Sequence, residues 1–131
     1  VEPAFGYRID FAGRSVAVSG DTRLSENLIR HATGVDVLIH EVASLDAFLR
    51  AGVPADVARN VVARHVSPEQ AGTVFSRTRP RLAVYSHIIH AIATEADLVP
   101  ATRRTYAGPL EVGEDLMVIT IGDRIDVRRR R

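Results

Sequence analysis

Three short apolar runs constrain this chain most: VAVS at residues 16–19, VDVLI at 35–39 and RLAVY at 81–85. Each is too short for a helix and is followed by a longer stretch carrying helix start and stop signals. Runs that are apolar at consecutive positions belong in strands buried on both faces. Chains that alternate such strands with helices build a sheet covered by helices. Ligand sites in those sheets gather where strands end. Asp21, Glu41 and His87 all follow directly on these strands.

The remaining segments fit that scheme. FGYRIDF, Phe5 to Phe11, alternates as a strand with Phe5, Tyr7, Ile9 and Phe11 on one face. Ala12-Gly13-Arg14 turns it back into the first apolar run, making a hairpin. SENLIRHATG reads as a helix with Ser25 as N-cap and Gly34 as its stop. Three helices follow the second run. SLDAFLRAG ends at Gly52, PADVARNVVARH starts with Pro54 at its first position, and SPEQAGTVFSRTR has Ser67 as N-cap and Pro68 at N1. TEADLVPATRRTY is a helix that Thr94 caps and Pro100 kinks. EDLMVITIGDRIDVRRR is a closing hairpin that turns at Gly122-Asp123. The order is β-β-α-β-α-α-α-β-α-β-β, an α/β fold with a mixed β-sheet flanked by helices.

Composition removes several chemistries. A length of 131 residues fits one domain with a real core. There is no Cys, hence no disulfide, no thiolate metal site and no Cys nucleophile. All 17 basic residues are Arg, which excludes a P-loop lysine, a Schiff base and a Lys general base. The net charge of +1 gives no global pull toward nucleic acid or a membrane surface. No apolar run approaches the roughly 20 residues of a membrane helix. Aromatic residues are only 5% of the chain, which argues against a base-stacking surface. Arg128 to Arg131 read as a frayed, solvated basic tail. Composition assigns no compartment; the cytoplasm is the favoured expectation.

The candidate chemistry lies in the loops. Asp21 is either a helix cap or a metal ligand. His87 is either packed on its strand or a ligand, and His65 is either a half-exposed residue before the Ser67 cap or part of a site. A carboxylate and an imidazole at neighbouring strand ends suit Zn²⁺ or a similar cation.

Taken in order, SGDT, SENL, DVLIHE, HVSPEQAG, LAVYSHI and YAGPLEVGEDLMVI resemble the C-terminal half of the metallo-β-lactamase-fold hydrolases, closest to the branch of ribonuclease Z and the arylsulfatase-like proteins. His65 and His87 stand 22 positions apart, as that branch usually has them. The resemblance implies that residues 1–131 form a single C-terminal half-domain, half of an αββα sandwich. The half carrying His-x-His-x-Asp-His and one further ligating histidine would lie outside this sequence.

The same resemblance implies roles at matching positions. Asp21 would bridge two metal ions, His87 would be the last ligating histidine, and His65 would act near the scissile bond as an acid or electrostatic helper. Glu41 matches a recurrent position without being a ligand. His40 and His31 are expected to be structural, and His90, three residues after His87, has no role in the pattern. The implied cofactor is zinc, two ions per intact site and weak or absent on this chain alone. The implied reaction is hydrolysis of an ester: a phosphodiester as in RNA, a sulfate ester or another small ester. The expected partner is the N-terminal half or a second copy of the chain, because the face of VAVS, VDVLI and RLAVY is expected to stand uncovered. The alternative is a non-catalytic assembly module that pairs through that face. No membrane partner is expected.

Overall fold

The structure is a computed structural model that describes residues 3–89 and 91–129. His90, Arg130 and Arg131 lie outside the described residues. Five strands form one sheet in the order β1 (Tyr7–Phe11), β2 (Arg14–Val18), β3 (Val37–Glu41), β4 (Leu82–Ser86) and β5 (Leu110–Val112). The β1–β2 pair is antiparallel and the rest are parallel. Parallel neighbours need helical crossovers, and these are α1 (Glu26–Ala32), then α2 (Leu45–Arg50), α3 (Ala55–Val62) and α4 (Pro68–Thr78), then α5 (Glu95–Thr102). β6 (Val118–Ile121) and β7 (Ile125–Arg128) make a separate two-stranded sheet. The observed class is α/β with a mixed sheet, as the sequence implies.

Local chemistry fixes the boundaries. Ala12 and Gly13 both hold positive φ, 49° and 72°, which gives the β1–β2 hairpin a turn whose twist matches the strands. Ser25, Ser44 and Ser67 cap α1, α2 and α4, each accepting a backbone N–H of the first turn. At α4 the Gln70 side chain also accepts from the Ser67 N–H, completing a capping box after Pro68 at N1. Pro54 is the N-cap of α3 rather than its first residue. Pro100 lies inside α5, which runs through it.

Residues on the helix side of the sheet make the main core. Ala17, Leu38, Ala83 and Tyr85 pack there against Ile29 of α1, Val74 and Phe75 of α4 and Leu98 of α5. The buried Tyr85 hydroxyl is satisfied by Thr102 at 2.6 Å. Phe48 of α2 and Ala58 of α3 make a smaller satellite core with Val61 and Ile92.

On the opposite face Val37, Leu82 and Val84 are covered by Ile119, Ile121, Ile125 and Val127 of the β6–β7 hairpin. This corrects the expectation that the strands VAVS, VDVLI and RLAVY stand bare. Their apolar residues are continuous with the alternating apolar residues of the hairpin, and two such surfaces stack face to face. Arg81 anchors the hairpin, donating to the Asp36 carboxylate and to the carbonyls of Gly122 and Asp123. The bare region is β1 instead. Its register places Tyr7, Ile9 and Phe11 on the same face as Val18 and Val16, yet Ile9 is 58% and Phe11 82% exposed.

Two further readings change. β5 has no counterpart in the sequence reading: three residues between Pro109 and Gly113 are too few to show periodicity. The basic tail is not frayed through its described part, because Arg128 ends β7 and Arg129 pairs with Glu111 and Glu114.

Candidate functional site

β2, β3 and β4 run parallel, so their C-terminal ends lie side by side and deliver Asp21, Glu41 and His87 to one edge of the sheet. Gly20 releases the chain from β2. It adopts φ 62°, and a Cβ there would meet the Phe5 carbonyl oxygen at 2.3 Å, so no other residue fits without moving the strand. Ser19 ties the adjacent ends together: its hydroxyl accepts from the Glu41 N–H at 3.1 Å.

The choice between cap and site for Asp21 has a structural answer on one side. Ser25 caps α1, accepting from the Leu28 N–H at 3.2 Å, and Asp21 lies outside that helix. The Asp21 carboxylate is instead exposed, with Oδ1 3.5 Å from His87 Nε2. Among the described residues neither side chain has a hydrogen-bonded partner. His87 holds φ 55°, a left-handed conformation that costs energy in a non-glycine residue and is concentrated at functional sites.

Behind this pair stands a second one. Glu41 is 2% exposed, and its carboxylate accepts from His65 Nδ1 at 2.9 Å and from the Val66 N–H at 2.9 Å. An ionised carboxylate only accepts, so Nδ1 carries the proton and Nε2 of His65 is left for other partners. Burial pushes the Glu41 carboxyl above its ordinary range, while the charge and hydrogen bond of His65 and the backbone N–H groups of Val66 and Thr22 pull it back. The His65 and His87 rings lie 5.9 Å apart between centroids.

The three residues expected at the site, Asp21, His65 and His87, are thus gathered at one sheet edge. Glu41, expected only as a recurrent position, is the buried partner that orients His65. Its signal was a carboxylate ending a fully apolar strand, where an unpaired charge would be too costly to bury. His40 is fully buried beside Phe75, and its Nδ1 donates to the Glu41 carbonyl at 2.7 Å, consistent with a structural residue. His31 ends α1, where its own carbonyl accepts from Arg8.

The donor set fits a cation in part. Two ligands of a tetrahedral Zn²⁺ at about 2.0–2.1 Å lie roughly 3.3 Å from each other, close to the Asp21–His87 gap. No group of three or more His, Asp or Glu that could hold a metal occurs among the described residues. Asp21 and His87 therefore supply two donors, and Glu41 is committed to His65.

The three-layer order of helices, sheet and partial second sheet, with the site at the strand ends, defines the metallo-beta-lactamase fold. A metallo-beta-lactamase fold protein of Bacillus subtilis superposes on 82% of this chain and 40% of its own, with a TM-score of 0.62 at 18% identity. Zn²⁺-bound PqqB of Methylobacterium extorquens superposes on 86% of this chain and 42% of its own, with a TM-score of 0.59 at 20% identity. The family model for the beta-lactamase superfamily domain matches residues 1–88, and the chain belongs to that family. A ribonuclease Z of Mycobacterium avium is 31% identical over 118 residues, which are 88% of this chain and 41% of that protein. The chain spans about half the length of the curated relatives it matches. No helix among the described residues is long and apolar enough to cross a membrane.

Proposed function

We propose that this chain contributes the His65–Glu41 pair and two metal donors to a zinc-dependent hydrolase of phosphodiesters in RNA. The observation that carries the reading is the convergence of Asp21, His87, His65 and Glu41 on one edge of the sheet, two pairs serving two tasks. Similarity to ribonuclease Z of Mycobacterium avium supports RNA as the substrate over a sulfate ester or another small ester.

Asp21 and His87 would hold the metal, completed by donors from outside the described residues. When bound, zinc supplies an activated water and stabilises developing negative charge. His65 does the proton work. Glu41 fixes its ring through Nδ1 and stabilises the imidazolium, so that Nε2 faces the reacting ester and hands its proton to the departing oxygen. Glu41 touches no substrate and is a positioning residue. The partner in this reading is the other half of the fold. It would add donors to Asp21 and His87 and cover Phe5, Tyr7, Ile9 and Phe11 on β1. The same bare stripe also supports the rival assembly-module reading, in which a second copy covers it.

The test is to combine the chain with a half carrying His-x-His-x-Asp-His, load zinc, and assay an RNA oligonucleotide. Asp21→Asn and His87→Ala should lose metal and turnover together. His65→Ala should keep full metal and lose turnover roughly 10²- to 10⁴-fold. Full metal retention in Asp21→Asn sinks the ligand assignment, and turnover untouched by His65→Ala sinks the acid.

A further inference from the structure

His65 and His87 also form one wall of a pocket that the hydrolytic reading does not use. The rest of it is built from Val42 after β3, Phe48 of α2, Val61 of α3 and Ile89 and Ile92 after β4, with Ser44 as the one hydroxyl. No carboxylate and no guanidinium lines it. The enclosed space is about 30 Å³, room for roughly two water-sized groups, or the edge of a ring. The satellite core beneath α2 and α3 holds this wall in place: Phe48 is 6% exposed and Ala58 fully buried, whereas Ile89 at the rim is 49% exposed.

We propose that this pocket is a subsite for an uncharged aromatic ring carried on the leaving group of the ester. The inference rests on the hydrolase reading, because it is there that His65 delivers a proton to the departing oxygen. A group that receives a proton from His65 must sit beside it, and this concave, apolar surface adjoins the His65 ring. An ionised group entering it would shed water with no countercharge in the walls. An apolar edge covers Ile89 and Val61 and releases water from both. A ring edge suits the narrow space better than a branched alkyl group. Ile89 and Val61 are then specificity-determining residues rather than catalytic ones.

The test uses the 131-residue chain and two ring probes, neutral phenol and anionic benzoate, followed by methyl and imidazole NMR. Phenol is expected to shift the Ile89, Ile92 and Val61 methyls and the His65 ring protons, with benzoate binding at least about tenfold more weakly. Ile89→Ser, at a half-exposed position, should weaken phenol roughly 3- to 10-fold. Val61→Thr keeps the shape, adds a hydroxyl and should weaken phenol as well. Equal binding of benzoate, shifts confined to other methyls, or wild-type phenol affinity in both variants would overturn the subsite. The titration requires no turnover. If phenol binds here but the zinc-loaded assembly cleaves nothing, the hydrolase reading fails and the pocket's ring preference stands.

Discussion

The two halves of the five-stranded sheet obey the same sequence rule and meet different fates. At the centre, β3 and β4 are apolar on both faces and buried on both, by helices on one side and by the β6–β7 hairpin on the other. At the edge, β1 alternates apolar and polar residues just as cleanly, yet none of its side chains is buried. The hairpin reaches across β3 and β4 and stops short of β1. Periodicity therefore tells which face is apolar, and only the neighbours tell whether that face is covered. The site repeats the contrast. Glu41, at the end of a central strand, is buried and fully partnered, whereas Asp21 and His87 are exposed and hold only each other at 3.5 Å.

The contrast can be broken most forcefully by equal truncations in the two regions. Phe75→Ala in the core should cost about 3–5 kcal/mol, while Phe11→Ala on β1 should fall within about 0.5 kcal/mol. Urea unfolding of both variants checks this. A large loss at Phe11 would mean that the stripe is already covered in solution.

A smaller effect is expected at the clamp that holds the hairpin. Arg81→Met removes the bonds to Asp36, Gly122 and Asp123, at a cost of about 1 kcal/mol for a partly exposed cluster. Hydrogen exchange should then quicken in β6 and β7 before it does in β3. Uniform quickening would show that hairpin and sheet open as one unit.

The smallest effect is pH-dependent. Burial lowers the His40 pKa, so the folded chain resists a proton that the unfolded chain takes up below about 6.5. His40's contribution is fully present above that pH and falls as pH drops, by at most about 1.4 kcal/mol per unit. Replacing it by Asn should flatten the difference in stability between pH 7.5 and pH 5 relative to wild type. An unchanged slope would mean that His40 is protonated in the fold.

Much of the architecture was legible because its signals are local. Caps at Ser25, Ser44 and Ser67 and the apolar runs of β2, β3 and β4 act within a few residues. β5 was not, because a strand of three residues is defined by its partner: Gly113 donates to the Tyr85 carbonyl at 2.9 Å, and a Cβ there would meet that oxygen at 2.4 Å. Asp21, His65 and His87 could be singled out by their place after strands and by resemblance. The Glu41–His65 bond could not, since it joins residues 24 apart through the packing of α2 and α3 between them. The hairpin's position over the sheet was hidden for the same reason.

The central claim is that Asp21 and His87 form half of a metal site that other donors complete. The most direct measurement is a calorimetric zinc titration of the 131-residue chain and its Asp21→Asn variant. Two donors leave the ion mostly water-bound, so binding should be weak in the wild type and undetectable in the variant. Submicromolar affinity that survives Asp21→Asn would contradict the account.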